Sequence, residues 1–98
     1  MKKTFQNNGE KEHCILEAEC GKKYKLTIQT DGRIHFQYVI TNDTHTDTLF
    51  MGPGMDKRGA SIHFTHIIEA QKTGHLSIRN IANNDNYWKT MTVTIEEV

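Results

Sequence analysis

Six histidines in a chain of 98 residues raise the question of a metal centre, because neutral imidazole is a common ligand for zinc and other transition ions. His63 and His66, in the run HFTH, are the most closely spaced pair. In a strand they point to opposite faces and cannot share one ion, whereas the i, i+3 spacing of a helix would put them on one side. His66 shares its parity with Ile62 and Phe64, which suits a buried or rim histidine better than a ligand. Asn42, Asp43, His45 and Asp47 gather ligand-type atoms in one polar run. That run lacks the glycine and the closing glutamate of an EF-hand loop, so any polar turn explains it equally well. His13, Cys14 and Cys20 do not match a zinc spacing, and no CxxC or HExxH occurs. No metal and no cofactor is expected.

Ser61, Ser77 and the two cysteines are the nucleophiles on offer, without a GxSxG elbow or a recognisable partner order. The loop GPGMDKRG, residues 52–59, lacks the Walker spacing that would cradle a phosphate. It reads as an exposed connector presenting Met55, Lys57 and Arg58, side chains with the reach and adaptability used at interfaces. Tyr87 and Trp88, beside an Asn-rich loop, could stack on a sugar ring, but a tryptophan packed against an aliphatic neighbour accounts for them more simply. Thr90, Thr92 and Thr94 form one row of β-favouring residues on a wet face.

The elements that would position these groups follow from hydrophobic alternation. In KYKLTIQTDGRIHFQYVIT, residues 23–41, Tyr24, Leu26 and Ile28 alternate with polar residues, while Ile34, Phe36, Tyr38 and Ile40 alternate with His35, Gln37 and Val39. A hairpin with a loop of Thr30, Asp31 and a left-handed Gly32 would pair Ile28 with Ile34, Leu26 with Phe36 and Tyr24 with Tyr38. On its other face Lys25 would oppose Gln37 and Lys23 would oppose Val39, beside Thr27 and His35. That row makes Lys23, Lys25, His35 and Gln37 candidate contact residues. Near the C-terminus, a loop of Asn83 to Asn86 would pair Ile78 with Met91, Leu76 with Val93, Ile81 with Trp88 and Arg79 with Thr90.

Other strands are weaker. Thr4 to Gln6 is a possible first strand. His13 to Glu19 would put Cys14, Leu16 and Ala18 on one side and His13, Ile15, Glu17 and Glu19 on the other. Thr48 to Met51 reads as a short strand. Ala60 to Ile68 reads as another, rich in Ile, Phe, Thr and His, with a short helix near residues 62–73, stopped by Gly74, as the alternative.

Composition sets the outer limits. Twelve basic and twelve acidic side chains cancel, leaving no electrostatic footprint for nucleic acid as the main partner or for an anionic membrane. The lysines at positions 2 and 3 are not followed by an apolar stretch, so the N-terminus does not read as a signal peptide, and no window suits a membrane helix. Cys14 and Cys20 would sit about 20 Å apart in a strand and about 9 Å apart in a helix. A disulfide usually needs Cα atoms about 4.4 to 6.8 Å apart, and CILEAEC contains no turn former. Two reduced thiols and a cytoplasmic setting are the expectation.

Residues 1–98 thus read as a single all-β domain, an antiparallel β-sandwich or flattened barrel of six to eight strands. The run IHFQYVITN with its following polar turn, and the closing GHLSIRNIANNDNYWKTMTVTI, resemble immunoglobulin-like or C2-like sandwiches in general pattern. That resemblance implies architecture and no activity. The leading functional expectation is a small non-enzymatic intracellular module that contacts another protein or a second copy of itself, as an inhibitor, an immunity-type protein or an assembly subunit. A glycan- or metal-binding module is the alternative, and an enzyme with an unrecognised His/Asp site the third.

Overall fold

The computed structural model describes residues 1–32, 34–43, 46–51, 62–81 and 88–98. Among them are eight strands: β1 (Lys2–Gln6), β2 (Glu12–Ala18), β3 (Lys23–Thr30), β4 (Phe36–Thr41), β5 (Thr46–Met51), β6 (Ile62–Glu69), β7 (Gly74–Asn80) and β8 (Thr90–Glu97). They form two four-stranded sheets, ordered β1-β8-β3-β6 and β2-β7-β4-β5, with every pairing antiparallel. The alternative helix at residues 62–73 does not form. Ile62–Glu69 is strand, paired with β3 along its whole length.

The pairs β1·β8, β2·β7, β3·β6 and β4·β5 describe one long antiparallel ribbon, closed by the β4–β5 hairpin and rolled so that β8 meets β3 and β7 meets β4. This is the strand order of a jelly roll. The immunoglobulin-like and C2-like resemblance therefore holds for two packed antiparallel sheets, within a different connectivity.

Both expected hairpins are overturned by this arrangement. β3 and β4 lie in opposite sheets, as do β7 and β8. Leu26 pairs with His66 and Ile95, not Phe36, and Ile78 pairs with His13 and Tyr38, not Met91. Alternation fixes which side chains face inward, but a ladder partner and a partner across the sandwich satisfy the same pattern. Leu26, Ile28, Phe36, Tyr38, Leu76, Ile78, Met91 and Val93 are all fully buried in one core. The left-handed glycines among the described residues are Gly9 and Gly21, so the expected Gly32 bulge is replaced by a crossing between sheets.

β2 corrects a face assignment. A bulge at Ile15 separates Cys14 from Leu16, so the inward row runs from His13 to Ile15 and resumes at Ala18, with Leu16 packed against the core. Cys14 is exposed. One extra residue reverses parity, and simple alternation cannot register that.

Candidate functional site

The outward rows of each sheet follow from its register. On the β1-β8-β3-β6 sheet the rows are Thr4, Thr92, Gln29, His63; Lys2, Thr94, Thr27, Thr65; Glu96, Lys25, Ile67; and Lys23, Glu69. The Thr27 and Thr65 hydroxyls share a hydrogen bond of 3.1 Å. Ile67 interrupts this polar face with 63% of its surface exposed. Lys23 and Lys25 lie here as well, beside Glu69 and Ile67. Gln37 lies in the other sheet, where it pairs with Arg79 and Met51, and His35 immediately precedes that strand. The expected cluster of Lys23, Lys25, His35 and Gln37 is therefore split between two sheets. Val39, expected on a solvated face, is fully buried. Met55, Lys57 and Arg58 fall outside the described residues, as do His45 and Tyr87.

Among the described strands β6 is an edge, and hydrogen bonding at its end shows which of its backbone groups turn away from β3. Ala70 donates its N–H to the Lys22 carbonyl at 2.9 Å and accepts from the Gly21 N–H at 2.8 Å. The β3·β6 register is unbroken and includes Tyr24 with Ile68. Antiparallel alternation then directs the N–H and C=O of Ile68, His66 and Phe64 toward β3 and leaves those of His63, Thr65, Ile67 and Glu69 pointing away from the sheet.

Natural edge strands carry devices that discourage further pairing, and three of the four edges here have them. β1 is five residues long and begins with Lys2 and Lys3. β2 is bulged and carries Glu12 and Glu17. β5 has a register shift against β4 and carries Asp47, which pairs with Lys72 at 3.0 Å. β6, eight residues of IHFTHIIE, has no bulge, proline, glycine or lysine, and its one charged carboxylate is the terminal Glu69.

The inner side of this edge is braced by aromatic rings. His66 lies 5.8 Å from Phe64, 6.5 Å from Phe36 and 6.2 Å from Tyr38, while Phe36 and Phe64 are 5.8 Å apart. Burial lowers the His66 pKa below the ordinary histidine value. His63 is exposed on the opposite face, as two strand positions of opposite parity require.

Two concavities offer other chemistry. One of about 340 Å³ is lined by Glu17, Thr41, Asn42, Asp43, Thr73, Gly74 and His75, and in it His75 Nδ1 meets Glu17 Oε1 at 2.5 Å. Both side chains are well exposed, so solvent screens this contact. The second, about 250 Å³, is lined by Gln29, Thr30, Asp31, Thr90 and Thr92. No group of three or more His, Cys, Asp or Glu side chains among the described residues is placed to hold a metal ion.

The remaining candidates have structural surroundings. Trp88 is buried, edge-on to His13 with ring centroids 5.7 Å apart, and its carbonyl accepts from Asn7 Nδ2 at 2.8 Å. His13 also lies 5.0 Å from Phe5. Cys14 and Cys20 are free thiols, and Cys20 Sγ donates to the Gln71 carbonyl at 3.3 Å. No helix among the described residues is long and apolar enough to cross a membrane.

Sequence reasoning passed over Ile67. Its signal was nevertheless present, since it is the one aliphatic residue on the outward parity of a strand otherwise carrying His63, Thr65 and Glu69 there.

Comparison of the chain with protein-family models, with curated proteins and with solved structures returns no match.

Proposed function

We propose that this chain is a non-enzymatic protein-contact module that works in the cytoplasm and extends its β1-β8-β3-β6 sheet with a partner's strand laid along β6. The observation that carries this reading is the contrast among the described edges: β6 alone has neither a bulge nor a lysine, and it presents Ile67 beside Lys25. Strand addition takes its affinity from main-chain hydrogen bonds and its specificity from alternate side chains. The outward backbone groups of His63, Thr65, Ile67 and Glu69 supply the first, and their side chains with Lys23 and Lys25 supply the second. Exposed, unpaired Cys14 and Cys20 favour a reducing compartment. An inhibitor, an immunity-type protein or an assembly subunit could each use such an edge.

The test is quantitative capture from native extract with immobilised wild-type protein and with Ile67→Lys. A charge at this position repels an incoming strand without entering the core. A partner retained by the wild type and lost by the variant, at unchanged melting temperature, supports the reading. Equal capture by both sinks it.

A glycan-binding reading rests on the 340 Å³ concavity, whose lining of hydroxyl, amide, carboxylate and imidazole groups suits a polyol. Thermal-shift screening against sugars tests it, because a ligand that binds only the folded state raises the melting temperature by mass action.

A further inference from the structure

We infer that the strand that completes the β6 edge is β6 of a second copy of this chain, giving a two-fold dimer with one continuous eight-stranded sheet. This rests on the reading of β6 as a pairing edge and names its occupant. A two-fold axis normal to the sheet keeps inward faces with inward faces only when the numbers of paired residues sum to an even value. Centring the axis on His66 pairs His63 with Glu69 of the second copy and Thr65 with Ile67 of the second copy, and the reverse. All of these residues have outward N–H and C=O groups in the single chain, so each pair exchanges both backbone hydrogen bonds.

The side chains in this register are complementary. On the outward face the rows become Lys23, Glu69, then His63 and Gln29 of the second copy; and Lys25, Ile67, then Thr65 and Thr27 of the second copy. Each carboxylate lies between a lysine and an imidazole, and no like charges are neighbours. Ile67, exposed in the single chain, gains Thr65 of the second copy beside it. On the inward face Phe64 meets Ile68 of the second copy and the two His66 rings lie opposite each other, extending the aromatic cluster of Phe36, Tyr38 and Phe64. A formal net charge of zero leaves no overall repulsion between copies.

Sedimentation velocity of the full chain over a range of concentrations, with amide exchange followed residue by residue, tests the dimer. The expected result is a particle of twice the monomer mass. The amides of His63, Thr65, Ile67 and Glu69 slow by about tenfold or more with rising concentration, while those of Phe64, His66 and Ile68 are already protected in dilute solution. Ile67→Lys returns the protein to monomer. Thr65→Pro does the same without unfolding it, because the lost N–H points away from β3. A monomer at every concentration, with those four amides exchanging freely, overturns the inference. So does a dimer that survives both substitutions. If the protein is monomeric but the extract experiment yields a partner lost in Ile67→Lys, only the identity of the occupant fails. If neither a dimer nor a partner is found, the edge reading fails with it.

Discussion

Asp31 and Thr90 hold each other in a reciprocal clasp. The Asp31 carboxylate accepts the Thr90 N–H at 3.1 Å, and the Asp31 N–H donates to the Thr90 carbonyl at 3.4 Å. The same carboxylate accepts the Lys89 N–H at 2.7 Å. These bonds fasten the corner where the chain leaves β3 for the opposite sheet to the start of β8, and they hold the Asp31 carboxyl below its ordinary pKa, the Lys89 bond contributing most.

Asp31→Ala is therefore expected to destabilise the protein by roughly 1–2 kcal/mol in urea unfolding, with exposure keeping the loss at the low end for bonds to a charged acceptor. Asp31→Asn, which retains an acceptor oxygen, should cost less. Because the folded pKa is depressed, the stabilisation from ionised Asp31 is present above the usual carboxyl range near about 3.9 and is lost as pH falls through the folded value. The gap between wild type and Asp31→Ala should narrow correspondingly in acid.

His13 predicts a second pH dependence, at milder acidity. Desolvation lowers its pKa, partly offset by Glu10, whose carboxylate lies 4.0 Å from Nδ1; His66 is lowered by burial as well. Between the folded values and about 6.5 the unfolded chain binds more protons, so stability rises with pH through that window and falls as the solution is acidified. Melting temperature should decline from pH 7 toward pH 5, and His13→Phe should flatten the decline. Nε2 of His13 is buried without a hydrogen-bond partner among the described residues, so the same variant should be neutral or stabilising at pH 7.

Gly74 opens β7 against the end of β4. A Cβ at this position would lie 2.5 Å from the Thr41 carbonyl oxygen and 3.0 Å from its carbon, and backbone atoms cannot rotate aside as a side chain can. Gly74→Ala is expected to cost about 1–3 kcal/mol, the range for overpacking a tight contact. Chemical denaturation measures it, and an unchanged midpoint would refute the close approach.

Leu26 and Ile67 test the assignment of faces. Leu26 is fully buried and Ile67 is 63% exposed, although both sit in the middle of paired strands of one sheet. Leu26→Ala should lose about 2–5 kcal/mol by leaving a cavity. Ile67→Ala, measured in dilute solution, should stay within about 0.5 kcal/mol of wild type.

Inward and outward faces were legible from the letters wherever the strands run without interruption. Tyr24, Leu26 and Ile28, then Phe36, Tyr38 and Ile40, are buried as their alternation requires, because the period of two is a local property of an extended backbone. The rule failed at β2, where the bulge between Cys14 and Leu16 changes parity partway along, and at Val39, which is fully buried at the outward parity of β4, next to the register shift between Tyr38 and Val39. It also gave no view of Asp31 as an anchor, since the Lys89 and Thr90 amides it binds lie 58 and 59 residues away.

Alternating hydrophobicity by itself determined an all-β chain whose strands carry an apolar face. Strand partners belonged to the tertiary structure. A hairpin and a crossing between two sheets bury the same side chains, and the choice rests on how the whole ribbon rolls to close one core. That choice separates Lys25 from Gln37, sets Lys25 beside Ile67, and leaves β6 at an edge. An edge is a property of the sheet, and no strand carries it in its own sequence.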